Sequence, residues 1–167
     1  MEVNLTIPPQ SIVNEYDFGV LIVKVKEVLG KKPTKIITIT AEKSLQQASD
    51  LLTEYNIGAI VVVDNDSLPV GILSERDIVR KIAEHQAEAL NLTVKDAMTA
   101  DIITGVLDED LNEVSSTMTN NRIRHLPILD GKQLVGMVSI GDVVKTQLDH
   151  AEFEAKSLRQ YITGGYE

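Results

Sequence analysis

The 167-residue chain contains no cysteine and no tryptophan, and its only aromatic side chains are four tyrosines and two phenylalanines. The absence of cysteine excludes disulfides, thiolate nucleophiles and thiolate metal ligands. So few aromatics disfavour a stacking platform for single-stranded nucleic acid. No apolar run approaches the roughly 20 residues of a membrane-spanning helix, and Glu2 stands where a signal peptide would carry positive charge. We therefore expect a cytoplasmic protein without a membrane segment.

Positive charge is also scarce, with 16 Lys and Arg against 25 Asp and Glu and a formal net charge of −9. Long nucleic acids bind mainly through neutralisation of their phosphates by Lys and Arg, so such a partner is disfavoured. The charge does not argue against a small phosphorylated ligand, which needs only a few local cations.

Catalytic and metal-binding motifs are missing as well. The three histidines, His85, His125 and His150, are dispersed, and none belongs to an H-x-x-x-H or H-E-x-x-H motif. The sequence has no G-x-G-x-x-G, Walker or G-x-S-x-G segment. We therefore expect neither catalysis nor a metal site.

What the sequence does contain is one supersecondary unit twice. Residues 36–64 match residues 102–130 at an offset of 66, with 8 identities in 29 positions. Residues 70–81 match residues 135–146 at an offset of 65, with 5 identities in 12. Chance would give roughly one identity in fifteen positions. A period near 66 is too long for solenoid repeats, so we expect two halves that pack face to face.

The sequence pattern of each copy predicts the element order β-α-β-β-α. A short β-type run precedes a helix-capping signature, Ser44 with Gln47 and Asp110 with Glu113. A continuous apolar run then suits a strand buried on both faces, and a turn and another apolar run lead into a last helix. The predicted strands are residues 35–40, 57–63 and 70–73 in the first copy and 101–106, 123–129 and 134–138 in the second, and the last helices are 77–84 and 142–148.

This order and its motifs resemble the cystathionine β-synthase (CBS) domain family. The resemblance is carried by VKDAMT at residues 94–99, RHLPILD at 124–130, and two G-hydrophobic-hydrophobic-S-x-x-D segments at 71–77 and 136–142. It implies a mixed α/β fold of the α+β type, in which two tandem β-α-β-β-α CBS repeats pack through their sheets with pseudo-two-fold symmetry. Such a pair, or Bateman module, dimerises. We assign residues 1–19 to an irregular segment, 20–86 and 87–148 to the repeats, and 149–167 to a C-terminal helix and tail.

The two S-x-x-D segments supply the first candidate ligand residues. Ser74 with Asp77, and Ser139 with Asp142, lie where a strand gives way to a helix, and Arg76 stands inside the first segment. One interpretation is structural, with Ser as the N-cap and the acid in the first turn. The resemblance implies the other, in which the carboxylate binds ribose hydroxyls and the helix N-terminus faces a phosphate. Both roles can coexist.

The segment Arg124-His125-Leu126-Pro127 is the sharpest difference between the copies, because the first has Gly58-Ala59-Ile60-Val61 there. The cations either lie on an exposed strand end or, as the resemblance implies, bind a phosphate. Gly58 and Ala59 leave space for an adenine ring or for close sheet packing. Thr38 and Thr104 occupy matching strand positions, where threonine is either an ordinary strand residue or, as the resemblance implies, a contact to the base or phosphate. The candidate binding residues are therefore Thr38, Gly58, Ala59, Ser74, Arg76, Asp77, Thr104, Arg124, His125, Leu126, Pro127, Ser139 and Asp142.

These residues lead to a functional hypothesis and an alternative. We interpret the chain as a stand-alone, homodimeric sensor that binds an adenine nucleotide between its repeats and regulates an unidentified protein in trans. AMP is the first expectation, followed by ATP, ADP, NAD(H) or S-adenosylmethionine. The alternative is a ligand-free interaction and dimerisation module that binds a partner protein.

A C-terminal helix is predicted by an apolar stripe at three- and four-residue spacing, which Gly164-Gly165 ends. This helix packs either on its own domain or on a second subunit, and we expect the second subunit. The stripe consists of Leu148, Ala151, Ala155, Leu158 and Ile162.

Overall fold

The structure, a computed structural model, describes residues 22–31 and 36–163. The irregular segment predicted at 1–19, Lys35 and the glycine pair after the last helix lie outside the described residues. The elements are α1 (Val25–Leu29), β1 (Thr38–Thr40), α2 (Leu45–Glu54), β2 (Ala59–Val63), β3 (Pro69–Ser74), α3 (Glu75–His85), β4 (Gly105–Val106), α4 (Leu111–Asn121), β5 (His125–Asp130), β6 (Gln133–Ser139) and α5 (Ile140–Thr163), with 3-10 turns at Gln86–Asn91 and Val94–Asp96.

The predicted β-α-β-β-α order is confirmed in both copies, which we call the first copy (β1 to α3) and the second copy (β4 to α5). Each copy forms a three-stranded sheet, in the orders β1-β2-β3 and β4-β5-β6. In both sheets the first pair of strands is parallel and the second pair is antiparallel. The mixed α+β class and the tandem repeat predicted from the sequence are therefore confirmed.

The helix starts follow the predicted capping residues in different ways. Ser44 and Gln47 form the predicted reciprocal box, in which Gln47 N donates to Ser44 Oγ at 3.2 Å and Ser44 N donates to Gln47 Oε1 at 3.1 Å. Asp110 caps α4 by accepting from Asn112 N at 2.8 Å, without the predicted reciprocal bond from Glu113. Both caps satisfy backbone N–H groups that the first turn leaves unpaired.

Two element boundaries differ strongly from prediction, whereas the others shift by at most three residues. The strand expected at residues 101–106 is reduced to Gly105–Val106, because Thr99 instead pairs with Ile72 of the first copy and the chain then turns. The last helix was predicted in two parts, on either side of residue 148, but α5 is continuous from Ile140 to Thr163. From Ala151 to Gln160 every described side chain of α5 is exposed.

The short segments that precede the two repeats exchange partners. Val25 and Val28 of α1 are buried in the core of the second copy, whereas Val94 of the later turn is buried in the core of the first. Backbone hydrogen bonds follow the same exchange, since Val25 N donates to Glu109 O at 3.1 Å and Val94 N donates to Lys43 O at 2.8 Å. Each core is thus completed by residues that precede the other repeat.

Two glycines make this exchange possible. A Cβ on Gly136 of β6 would lie 2.5 Å from Leu29 Cδ1 of α1, and a Cβ on Gly71 of β3 would lie 2.7 Å from Met98 Sδ. Real Cβ atoms do not approach other heavy atoms this closely, so the apolar side chains reach the sheets only over glycine. The two copies therefore form one interlocked folding unit.

Candidate functional site

A cavity of about 580 Å³ lies where the two copies meet. The first copy contributes the end of β3 and the start of α3, and the second contributes the end of α4, the start of β5 and the segment before β4. Seven of the predicted ligand residues line this cavity: Ala59, Ser74, Arg76, Asp77, Arg124, His125 and Pro127. The structure thus brings the first S-x-x-D segment together with the basic segment of the second copy.

The other six predicted residues are not among the residues that line this cavity. Leu126 is fully buried in the core of the second copy. Thr38 lines a separate, open hollow of about 440 Å³ beside α2. Gly58 lies next to the cavity but beneath other side chains, as shown below. Ser139 and Asp142 lie at the start of α5, and Thr104 immediately precedes β4.

Asp77 performs the structural role that the sequence predicted. Its Oδ2 accepts hydrogen bonds from the backbone N of Ser74 at 2.9 Å and from Ser74 Oγ at 2.6 Å, and so caps α3. Its Oδ1 lies 3.8 Å from Arg80 Nη1. Within the described part of the chain, Oδ1 accepts no hydrogen bond from another residue. One carboxylate oxygen therefore serves the helix, and the other is available to a ligand.

The second S-x-x-D segment repeats this geometry. Asp142 Oδ2 accepts from Ser139 N at 2.7 Å and from Ser139 Oγ at 2.6 Å. The two helix starts are also anchored alike, because Glu75 N donates to Gly58 O at 3.1 Å and Ile140 N donates to Arg124 O at 2.9 Å. The start of α5 is therefore the pseudosymmetric counterpart of the start of α3.

His125 and Gly58 meet across the boundary between the copies. A Cβ on Gly58 would lie 3.3 Å from Cε1 of His125 and 3.4 Å from Oε2 of Glu75. The space over Gly58 is therefore bordered by the side chains of His125 and Glu75. Ala59, the next residue, lines the cavity itself.

The cavity concentrates positive charge in an acidic protein. Arg76, Arg80, Arg122 and Arg124 line it against only two carboxylates, Asp77 and Asp101, which leaves a local charge of +2 with His125 neutral. Within residues 22–31 and 36–163, the guanidinium groups of Arg76, Arg122 and Arg124 form no ion pair with a carboxylate. Unpaired guanidinium groups with their planar donor forks are suited to binding phosphate.

Several lining residues were not among the predicted binding residues. Arg80 follows Asp77 by three positions on α3, so helical periodicity could have placed it on the same face. Arg122 occupies the position equivalent to Asn56 at the end of a helix, where glycine or asparagine is usual. No local sequence pattern predicts that residues 99–103 line the cavity, because only the tertiary fold brings them beside β3. The additional lining residues are Ile72, Arg80, Thr99, Asp101, Ile102, Ile103, Asn121, Arg122 and Ile123.

Metal-binding clusters and membrane-spanning helices are both absent from the described residues. No group of three or more His, Asp or Glu side chains in the described ranges is placed to hold a metal ion. None of the helices there is long and apolar enough to cross a bilayer.

Comparison with known proteins defines the family. A sequence model of the CBS domain matches residues 25–84 and again residues 94–149. The chain therefore belongs to the CBS domain family and carries two such domains, as its motifs indicated. The two matched regions coincide with the first and second copies, each with the short segment that precedes it.

Relatives with known names share this pair. The CBS domain-containing protein CBSX3, mitochondrial, of Arabidopsis thaliana is 37% identical over 131 residues, which cover 76% of this chain and 64% of that protein. YhcV of Bacillus subtilis is 31% identical over 117 residues, which cover 70% of this chain and 82% of that protein. The chain thus spans just under two thirds of the Arabidopsis protein.

Solved structures agree with this assignment. The CBS-domain containing protein ATU1752 from Agrobacterium tumefaciens has a TM-score of 0.74 at 34% identity, over 78% of this chain and 97% of that one. The CBS domain pair of MJ0100, in complex with 5′-methylthioadenosine and S-adenosyl-L-methionine, has a TM-score of 0.69 at 27% identity. This match covers 77% of this chain and 98% of the MJ0100 chain.

Proposed function

We propose that this CBS pair is a regulatory sensor that binds an adenine nucleotide in the cavity between its two copies, with AMP as the simplest ligand. The observation that carries the proposal is the meeting of Asp77 from the first copy with Arg124 and His125 from the second. A ribose and a phosphate are the two polar parts of a nucleotide, and these residues offer the chemistry for both.

The ribose, the phosphate and the base of the ligand each contact a different group of lining residues. Asp77 Oδ1 accepts hydrogen bonds from the ribose hydroxyls while Oδ2 keeps its place in the helix cap. Arg124 and Arg76 bind the phosphate with charge-assisted hydrogen bonds. The base lies against the apolar lining, which consists of Ala59, Ile72, Ile102, Ile103, Ile123 and Pro127. No chemistry on the ligand is proposed.

The ligands of MJ0100 support an adenosine-containing compound, and the local charge supports one that carries phosphate. Because the ligand touches both copies, it favours whichever arrangement of the two brings Asp77 and Arg124 to the correct separation. A ligand shifts such an equilibrium by its difference in affinity for the two arrangements. This shift would be the signal to a protein partner, which the chain regulates in trans.

Isothermal titration calorimetry of the full chain with AMP tests the proposal. Asp77→Ala is expected to weaken AMP binding at least tenfold, since a hydrogen bond to a charged group is worth about 1.5–3 kcal/mol. Asp96→Ala is the matched control, because Asp96 accepts the same pair of hydrogen bonds from Thr93 N at 2.9 Å and Thr93 Oγ1 at 2.6 Å and does not line this cavity. Absence of heat with every adenine compound, or equal losses for the two variants, would contradict the proposal.

A second function is favoured by the outer helices. Val79 and Ile82 on α3 and Val144 and Leu148 on α5 are large apolar side chains that are 43–63% exposed. Helices that expose such residues are typical of interaction surfaces. We propose that these faces form a homodimer, with the exposed end of α5 also contacting the second subunit. The cytoplasmic location expected from the sequence stays a prediction.

Light scattering distinguishes this interface from a monomer. Leu148→Lys is expected to convert a dimer into a monomer, whereas Asp149→Lys, at the exposed neighbouring position, should leave the mass unchanged. Removal of residues 149–167 tests the contribution of the exposed end of α5. A dimer that persists in both Leu148→Lys and the truncated chain would refute the interface.

A further inference from the structure

Arg122 has a left-handed backbone conformation that glycine and asparagine adopt more readily than arginine. It follows the last residue of α4 with φ 55° and ψ 35°, in the left-handed region, and its N–H donates to the carbonyls of Met118 and Thr119. This conformation closes a helix end, and glycine or asparagine adopts it most readily. The equivalent residue of the first copy is Asn56, with φ 51°. The backbone conformation itself therefore does not favour an arginine at this position.

The side chain at this position adds charge to the cavity. Arg122 lines the cavity together with Arg76 and Arg124. As described above, none of the three is ion-paired with a carboxylate in the described residues. Non-glycine residues in disfavoured backbone conformations are found preferentially at ligand-binding sites. Arg122 is thus an unpaired cation in a left-handed backbone conformation, and it lines the cavity where a nucleotide is proposed to bind.

Arg80 lies 3.8 Å from Asp77, and the other lining carboxylate, Asp101, is exposed, so the net charge of +2 includes three guanidinium groups that have no carboxylate of the described residues within 4 Å. The charge of a ligand can be compared with the charge of these three groups. A phosphate monoester carries about −1.5 to −2 at neutral pH, which two guanidinium groups balance. Each further phosphate in a chain adds roughly one negative charge, so a diphosphate matches three. A sulfonium compound such as S-adenosylmethionine has no phosphate to offer these groups.

We infer that the cavity selects a nucleoside di- or triphosphate over a monophosphate, and that Arg122 binds the β-phosphate. This inference rests on the proposed nucleotide site and specifies its ligand. Arg124 and Arg76 bind the α-phosphate, which AMP and ADP share, and Arg122 contacts the group that only the longer ligands carry. Arg122 is thus a specificity-determining residue.

Arg122→Asn is the decisive variant, because asparagine already occupies the equivalent left-handed position in the first copy. The variant is therefore expected to keep its fold, with a melting temperature equal to or above that of the parent chain. Lys132→Asn, in the exposed turn after β5, is the control for the loss of one positive charge. Both variants and the parent chain are titrated by calorimetry with AMP, ADP and S-adenosylmethionine at one fixed ionic strength.

The parent chain is expected to bind ADP at least tenfold more tightly than AMP. Arg122→Asn should weaken ADP at least tenfold and AMP less than threefold, and Lys132→Asn should weaken neither more than threefold. If AMP and ADP bind equally, or if Arg122→Asn weakens both alike, the inference is wrong and the nucleotide site stands. Tighter binding of S-adenosylmethionine than of ADP would also overturn it. If no adenine compound binds, the nucleotide site and the inference fail together.

Discussion

The imidazole of His125 lies against Gly58, so that a Cβ on the glycine would be 3.3 Å from Cε1 and 3.4 Å from Nε2 of the ring. Gly58 belongs to the first copy and His125 to the second, and they stand one position apart in the aligned repeat. The smallest residue of one copy therefore accommodates the histidine that is found only in the other. The two copies differ at these positions, and the small residue of one fits the large residue of the other in a contact beside the cavity.

Gly58→Val should destabilise the protein by about 1–3 kcal/mol, because the larger side chain displaces the imidazole and the neighbouring carboxylate of Glu75. Urea unfolding followed by circular dichroism measures this loss. Combining Gly58→Val with His125→Ala should recover part of it, since the second change removes the clash. Strictly additive losses in the double variant would show that the two residues do not interact.

Gly136→Ala should destabilise the fold by about 1–3 kcal/mol, because its Cβ would overlap the Leu29 side chain, which would have to move within the core. Gly141→Ala provides a matched control in α5, where a Cβ would meet only Ser139 Oγ at an ordinary 3.6 Å. This control should be neutral or stabilising by up to about 1 kcal/mol, as alanine is favoured in helices. Thermal unfolding of both variants separates the effects, and equal shifts would contradict the described packing.

Val94→Ala should lower the stability of both copies together, although the side chain lies in the core of the first copy only. The loss of two methyl groups from a fully buried site costs about 2 kcal/mol, and the interlocked segments transmit this loss to the whole unit. Hydrogen exchange measured by mass spectrometry should show reduced protection in β2 and in β5. Reduced protection confined to the first copy would mean that the copies unfold independently.

Stability should fall as the pH falls below about 4, because the folded chain holds some carboxyl pKa values below their ordinary value. A 2.6 Å hydrogen bond from Lys26 lowers the pKa of Asp108 below 3.8, and hydrogen bonds from Thr93 lower the pKa of Asp96. Depressed carboxyl pKa values stabilise the fold above pH 3.8, and this contribution is lost as the pH falls through the folded value.

Melting temperature measured against pH tests this dependence. Asp108→Asn removes the titrating carboxylate, and Lys26→Met removes the hydrogen-bond donor that lowers its pKa, so both should flatten the acid limb of the curve to a similar extent. Lys26→Met should also change the alkaline limb of the curve. The folded chain raises the pKa of Lys26 above 10.5, so the charged lysine stabilises the fold at lower pH, and this contribution is lost only as the pH rises above 10.5. Unchanged acid limbs in both variants would contradict the assignment.

The local sequence predicted those parts of the fold that local patterns determine. Ser44 with Gln47 marked a helix start, and the apolar run around Ile60 marked a strand that is fully buried. Long-range packing was not predictable in the same way. Nothing near Val25 or Val94 indicated that each would complete the core of the other repeat.

The candidate site likewise contains residues that local patterns predict and residues that only long-range packing brings together. Repeated motifs identified Asp77 and Asp142 as equivalent, but only the fold shows that Asp77 shares a cavity with Arg124. Leu126 belongs to the predicted binding segment 124–127, yet strand alternation turns its side chain into the core. The contribution of Thr99 and Ile102 depends on a tertiary contact with β3, for which a single sequence contains no pattern.

The phosphate role of Arg124 is the central claim, and comparative calorimetry with AMP and adenosine tests it most directly. Arg124→Ala is expected to weaken AMP at least tenfold, since the variant loses a charge-assisted hydrogen bond worth about 1.5–3 kcal/mol. Adenosine, which carries no phosphate, should be weakened less than threefold. Equal losses for AMP and adenosine, or no loss for either, would contradict the account.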